Sequence, residues 1–532
     1  MLKNYKKFNI IHPFLISLLP VLFIYSQNAR EMPIQEIILP ALSIFFAAVL
    51  LWLLVRFIIK NNEKSGLIIS LLLVLSFSYG HIFFLVDDFT LENSDIGRHR
   101  YLVIPFAISF IVGTYYFVKT KIKLNKVTTI VNVFAGTFLA VILINVGTYN
   151  IENVDSFDSE LITSNTSLSA ADTTIEMIPP YQGEIKNYPD VYYIVLDAYT
   201  GSSSLKKFLN YDNQEFVSYL TNKGFNVNHK SHSNYFGTEL STISTFNMRY
   251  HIADEKDGYQ EFYLPYRMYE ENIVMQNFKS AGYKIILIHK PLTSQSLQVS
   301  SSLFDLELCK RNKYVDTELF SMTIKTSILV LLLEKWEEHE MRETTLCGFS
   351  ELPKQHQKFD EPIFVYAHML IPHPPYLFSP EGEPISSVGP DGLVSWKDKE
   401  GYIDAVKFAN KKIKEVVDEL LTDLENPPII IIQADHGSMF DVDPNIVHWG
   451  KPSNENIEQM MSIFSAYYLP GIEKNLSYDV ITPVNTFRII FNSYLNTDYD
   501  LLEKKMYMVD ENGVPEYFID VTGVLIPPGN KP

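Results

Sequence analysis

Cysteine is almost missing from this chain. Cys309 and Cys347 are the two among 532 residues, too few for a disulfide scaffold or a zinc ribbon. Positive charge is scarce where a nucleic-acid binder would need it: residues 151–532 carry a net charge of −24, and neutralising phosphates requires the opposite sign. The polarity of a disordered chain is lacking as well, since 47% of residues are hydrophobic and 13% aromatic, which leaves ample surface to bury. No internal repeat is visible. The first 150 residues are mostly long apolar runs with a net charge of +6, so a cytosolic single-domain protein is excluded too.

What is present begins with five apolar stretches, near 9–26, 35–59, 66–86, 101–118 and 127–147. Each approaches or exceeds the roughly 20 residues a helix needs to cross the hydrocarbon core. The first holds Pro13 and Pro20 and could be mistaken for a signal peptide, but no A-x-A-like cleavage site follows it, so a retained span is expected. Lys3, Lys6 and Lys7 precede span one, Arg56, Lys60 and Lys64 flank the second gap, and Lys119, Lys121, Lys123 and Lys126 fill the fourth. All these basic clusters fall on one side, which the positive-inside rule makes the cytoplasm. Five spans then put residue 148 onward outside. The reading is a multi-pass protein of the plasma (inner) membrane with a cytoplasmic N-terminus: a five-helix transmembrane domain over 1–150, a Ser-, Thr- and Asp-rich linker over 151–188, and an extracytoplasmic domain over 189–532. A helical candidate at about 316–340 holds the apolar run 328–333. It is read as a core helix ahead of one resting on the bilayer surface, because a run this short is usually core.

From Pro189 onward, short apolar runs alternate with helical patterns. The runs at 191–196, 283–288, 363–367, 429–432 and 463–468 are rich in Ile, Val, Tyr and Phe and suit strands covered on both faces. Segments 213–222, 268–280 and 402–423 read as helices; in the last, Val406, Ala409, Ile413, Val416, Leu420 and Leu421 recur at helical spacing. This alternation predicts an α/β domain with a mainly parallel central sheet, whose ligands gather beyond the C-terminal strand ends.

Three such ends carry chemistry. Asp197 follows VYYIVL, Asp435 and His436 follow PPIIIIQA, and His368 follows IFVYA with His373 five residues later. A carboxylate or imidazole there is costly to bury unless paired, hydrogen-bonded or metal-bound. Two carboxylates and a histidine converging on one sheet edge would make a mixed N/O site for one divalent ion, zinc or manganese ahead of magnesium or calcium. The ordinary alternative for a lone Asp-His-Gly is a helix or turn cap. In the segment SHSNYFGTELSTISTFNMRY, Thr238 opens a helical pattern. Its hydroxyl is either a cap or a nucleophile placed where a helix dipole and a metal favour the alkoxide.

Taken in order, VLDAY, GT before a Ser/Thr-rich helix start, HxxxxH before a Pro-rich turn, and ADHG resemble the alkaline phosphatase superfamily, in its sulfatase-like branch of lipoteichoic acid synthases and lipid A phosphoethanolamine transferases. The resemblance covers roughly 185–500 and extends to five preceding membrane spans. It implies an alkaline phosphatase/sulfatase-like fold, with Asp197, Thr238, Asp435 and His436 as metal ligands and Thr238 as nucleophile. It further implies that His368 and His373 flank the phosphate and leaving group, and that His448 in VHWGKP faces the substrate, although Trp449 is inserted before the Gly. Three departures matter. Neither cysteine lies in the C/S-x-P/A-x-R pattern that sulfatases convert to formylglycine; the first strand ends in one Asp rather than a pair; and at most one disulfide, Cys309–Cys347, is available where phosphoethanolamine transferases have several. The expected function is a membrane-bound, metal-dependent transferase. It would move a phosphoglycerol- or phosphoethanolamine-type headgroup from a membrane lipid donor to an envelope glycan or lipid acceptor, through a phosphothreonine-type intermediate and with no nucleic acid involved. The alternatives are a hydrolase of the same fold, acting on phosphodiesters or sulfuric esters, and a non-catalytic membrane scaffold.

Overall fold

The computed structural model describes residues 10–29, 34–89, 99–167, 188–250, 272–288, 303–310, 318–385, 396, 398–422, 425–440, 442, 452–472, 481–509 and 518–526. Two compact units are present: Met1–Thr173 with Asn312–Glu337 and Val388–Leu393, and Thr174–Arg311 with Glu338–Ser387 and Val394–Pro532.

The first unit holds helices α1 (His12–Gln27), α2 (Ile38–Ile59), α3 (Asn62–Phe89), α4 (His99–Lys119) and α5 (Asn125–Ser167). Four helical segments, Ile34–Ile59, Asn62–Phe83, Tyr101–Lys119 and Asn125–Thr148, are long and apolar enough to cross a membrane, and the 16-residue α1 is a shorter apolar fifth. The protein is a membrane protein. Leu50, Phe57, Ile111 and Phe134 are exposed, as lipid-facing side chains should be. Polar groups tie the helices inside: the His12 backbone N–H donates to Asn132 Oδ1 at 2.8 Å, and His12 Nδ1 lies 2.5 Å from Ser70 Oγ. Helix α5 continues past 150 to Ser167, so the first part of the expected linker is helical.

The second unit is built on β1 (Val191–Leu196), α6 (Ser202–Leu209), α7 (Gln214–Asn222), β2 (Asn226–Val227), α8 (Thr238–Asn247), α9 (Ile273–Ser280), β3 (Lys284–Ile288) and β4 (Leu306–Leu308). Between β4 and the next elements the chain enters the first unit with α10 (Glu318–Lys325), and α11 (Val330–Glu351) brings it back. Then follow β5 (Ile363–Met369), α12 (Lys399–Leu420), β6 (Ile429–Gln433), α13 (Asn454–Met461), β7 (Ser465–Tyr468), α14 (Pro483–Tyr494) and the small hairpin β8 (Tyr507–Val509) and β9 (Phe518–Asp520). Seven strands form one sheet in the order β2-β7-β6-β1-β5-β3-β4, parallel from β6 to β4, with β7 antiparallel to β6. Strands β1, β5 and β6 are buried at every position, because helices cover both faces: one core gathers around Val406, Phe408 and Ile413 of α12, the other around Phe278 of α9 and Phe487 and Phe491 of α14.

The helix expected at about 316–340 is two helices, and the first is not a core helix of the α/β domain. Leu319 of α10 is buried with Val21, Leu22, Tyr25, Ile142 and Val146 of the membrane helices. The break has a local cause. Ser327 Oγ accepts the Leu329 N–H at 3.1 Å, a side-chain turn that competes with helix continuation. The Gly80 N–H of α3 meanwhile donates to Thr326 O, and the Ile328 N–H to Ser76 O.

Candidate metal centre and active site

Register brings the chemistry together. β1 lies between β5 and β6, with Val195 opposite both His368 and Gln433, so the residues just beyond β1 and β6 share the C-terminal edge of the sheet with His368. There Asp197 Oδ2 lies 3.3 Å from His368 Nε2, Asp197 Oδ1 lies 3.4 Å from His436 Nε2, and Asp435 Oδ2 lies 3.7 Å from His368 Nε2 and 3.9 Å from His436 Nε2. Asp197 groups with His373 and His436 on one side and with His368 and Asp435 on the other, as candidate ligand sets. The four residues Asp197, His368, Asp435 and His436 are at most 4% exposed.

These separations are long for hydrogen bonds. They are close to the edge of a tetrahedron with arms of about 2.1 Å, which is about 3.4 Å. Asp197 Oδ1 and Asp435 Oδ2 are buried and receive no hydrogen bond among the described residues, an expensive state for carboxylates without a cation. The charges agree. Burial pushes the Asp197 carboxyl up, but His373, His368 and His436 outweigh it and hold the group well below the ordinary carboxylate range. Burial pulls His436 down, yet Asp435 and Asp197 lift it to about 9. The pocket draws positive charge, and its donor set fits a divalent ion.

The surrounding chain fixes each group. His436 Nδ1 is 2.8 Å from Gly437 O, which leaves Nε2 facing the carboxylates. Asp435 Oδ1 accepts the N–H of Ala198 at 3.0 Å and of His436 at 2.9 Å. Ala198 reaches it from a left-handed conformation, φ 59°, rare for a residue with a Cβ. The buried Tyr402 hydroxyl clamps that turn, donating to Ala198 O and accepting from the Thr200 N–H, while Thr200 Oγ1 accepts the Ser438 N–H. His368 Nδ1 lies 3.0 Å from Tyr366 OH. His373 is half-buried; its Nδ1 lies 2.6 Å from Pro374 O, and its ring meets Trp396 at 5.4 Å and His436 at 6.2 Å.

Thr238 is the first residue of α8, after Gly237 at φ 90°, a conformation that suits glycine. Residues on both sides of it touch the Asp435–His436 loop: the Phe236 ring meets His436 at 5.3 Å, and Ser241 Oγ donates to Asp435 O at 2.6 Å. The chain between these two contacts carries Thr238 at the same strand end. His448 lies outside the described residues. Sequence reasoning missed Ala198, Thr200, Tyr402 and Trp396, whose roles run through backbone groups and ring contacts that leave no motif.

The family model described as sulfatase matches residues 189–475, more than half of the chain. The chain belongs to the sulfatase family. Family membership agrees with the α/β domain and its mostly parallel sheet. Among the solved structures similar to it are the following. The C-terminal periplasmic domain of EptC from Escherichia coli in complex with zinc is 14% identical, covering 65% of this chain and 96% of its own, with a TM-score of 0.42. The lipooligosaccharide phosphoethanolamine transferase EptA from Neisseria meningitidis is 12% identical over 86% of this chain and 88% of its own, TM-score 0.32. The lipoteichoic acid synthase LtaP from Listeria monocytogenes is 13% identical over 62% and 84%, TM-score 0.38. No curated protein matches the sequence.

Proposed function

We propose that this sulfatase-family member is a membrane-bound, metal-dependent transferase. It moves a phospho-headgroup, phosphoglycerol or phosphoethanolamine in type, from a membrane lipid to an envelope glycan or lipid by way of a phosphothreonine at residue 238. The observation that carries the reading is the convergence of Asp197, Asp435 and His436 with the first turn of α8 at one sheet edge. These residues with Thr238 would hold one divalent ion, zinc by the chemistry of the donors. When bound, the ion lowers the pKa of the threonine hydroxyl and offsets charge on the phosphoryl oxygens. The absence of a formylglycine pattern disfavours sulfate-ester chemistry.

In the first displacement the Thr238 proton passes to solvent as its oxygen bonds to phosphorus, and the bond to the diacylglycerol oxygen breaks. His373, half-buried and with Nδ1 engaged by Pro374 O, supplies a proton to that leaving oxygen from Nε2. In the return step an acceptor hydroxyl passes its proton to His373, the acceptor oxygen bonds to phosphorus, and Thr238 leaves and takes a proton back from solvent. His368 is 0% exposed and set against Asp197; it is assigned to holding Asp197 rather than to touching substrate. His448 is assigned to facing the substrate. With its basic clusters toward the cytoplasm, the chain presents this site outside, where a tethered domain meets lipid at high effective concentration.

The test is mass spectrometry of the Thr238 peptide after the intact protein meets vesicles containing phosphatidylethanolamine and phosphatidylglycerol. An adduct is expected on the wild type, whose mass names the headgroup, and none on Thr238→Ala. Adduct formation with release only to water, whatever glycan or lipid acceptor is supplied, would replace the transferase by a phosphodiesterase.

A further inference from the structure

The proposed metal ligands and nucleophile come from different parts of the chain, and something must hold them in register. Helix α8 is joined to the metal-ligand loop at Ser241, three residues after Thr238. Ser241 is 1% exposed, and its Oγ donates to the Asp435 main-chain carbonyl at 2.6 Å. The same residue is the hub of the helix turn: its N–H donates to Gly237 O, and its own carbonyl accepts both Ser244 Oγ at 2.9 Å and Thr245 Oγ1 at 2.8 Å. The far end of α8 is held as firmly. Arg488, 6% exposed, donates from Nε and Nη2 to Met248 O, the carbonyl at the helix C-terminus, and Phe246 packs against Tyr193, Tyr366 and Phe487. With its body and C-terminus seated, the helix has its first turn tied to the Asp435 main chain by the Ser241 hydroxyl.

We propose that Ser241 is a positioning residue. Its hydroxyl fixes the Asp435 main chain, and so the ligand carboxylate, relative to the Thr238 oxygen. This rests on the reading of Thr238 as nucleophile and Asp435 as ligand. An ordinary buried hydroxyl would contribute to folding only. A positioning hydroxyl acts on metal affinity and on turnover at saturation, because a ligand's supporting bonds change affinity or activity by about 10–100-fold and small misplacements of reacting groups cost about 100-fold.

The experiment compares wild type, Ser241→Ala and Ser241→Thr as intact detergent-solubilised protein. Zinc affinity is read by competition with a chromophoric chelator, turnover by release of nitrophenolate from bis(4-nitrophenyl) phosphate, and fold by near-UV circular dichroism. Ser241→Ala is expected to weaken zinc binding about tenfold and to lower kcat by about 10–100-fold, with KM within about twofold and an unchanged spectrum. Ser241→Thr, which restores the hydroxyl, is expected to recover most of both. Zinc affinity and kcat within twofold of wild type in Ser241→Ala would overturn the proposal, as would losses that follow the unfolded fraction and are not recovered by Ser241→Thr. A wild type that binds zinc but neither releases nitrophenolate nor forms a Thr238 adduct would sink the transferase reading instead, and the zinc arm would still decide whether Ser241 holds Asp435.

Discussion

At the scale of single residues, the site is a charge problem that the chain solves only in part. Two buried carboxylates face His436 and lift it to about 9 against the pull of burial, so in metal-free protein the imidazolium stands in for the missing positive charge. The sign follows from linkage. A histidine raised above its unfolded value near 6.5 adds stability in full below about pH 6.5, and that contribution is lost as pH rises through about 9. Zinc requires the neutral ring, so bound metal removes the effect. The melting temperature of chelated protein should therefore fall between pH 6.5 and 9, fall less in His436→Gln, and fall less again with zinc present. Equal slopes for chelated wild type and His436→Gln in scanning fluorimetry would show that His436 is not the responsible group. Asp197, His368, Asp435 and His436 were legible in the sequence because they stand within three residues of the end of a run such as VYYIVL, IFVYA or PPIIIIQ. The hydroxyls and the strained Ala198 that aim them were not, because a backbone N–H pointing at Asp435 Oδ1 has no residue type of its own.

At the scale of elements, continuous burial made β1, β5 and β6 readable, and helical spacing did the same for α12, whose apolar positions all face one core. β2 and β4, of two and three residues, are too short for any period to emerge. Helix α10 went astray for another reason: apolar residues bound for a membrane bundle and for a soluble core look alike in sequence, and only the partner distinguishes them. Here part of the partner surface is a glycine. A Cβ on Gly80 of α3 would stand 2.5 Å from the Thr326 Cα and 2.6 Å from Lys325 O, so the close approach that allows the Gly80 N–H to bond Thr326 O depends on the absent side chain. Gly80→Val should cost about 1–3 kcal/mol through overpacking and release the segment. Hydrogen exchange of amides 319–328 should quicken markedly while amides of β1 and β6 keep their protection. Unchanged exchange at 319–328 would mean that the segment is held without the Gly80 contact.

At the scale of the whole molecule, the chain is interleaved rather than divided in two. It leaves the sulfatase-type unit after Arg311, contributes 312–337 to the membrane unit, and returns at Glu338; a linear reading with one boundary near residue 188 has no place for such an excursion. Cys309 and Cys347 flank it, and they are joined in a disulfide, the single pairing that two cysteines allow. The bond anchors the end of β4 to α11 and closes a loop across a separation of 38 residues, inside which all of α10 lies. Closing a loop of that length removes enough unfolded-state freedom to stabilise by roughly 3–4 kcal/mol in the chain-entropy account. For a unit of this size that corresponds to roughly 5 °C in melting temperature. The double variant Cys309→Ser with Cys347→Ser should show a loss of that order by near-UV circular dichroism, and added reductant should lower the wild type to the same value while leaving the variant unmoved. The pairing also predicts where the damage falls. Exchange protection should drop first in β4 and in α11 from Glu338 to Glu351, next to the lost bond, while the Asp197–Asp435–His436 edge, built on β1 and β6, should keep its zinc affinity. A loss of zinc affinity equal to the loss in Ser241→Ala would show instead that the disulfide, as well as the hydroxyl on α8, governs the geometry of the site.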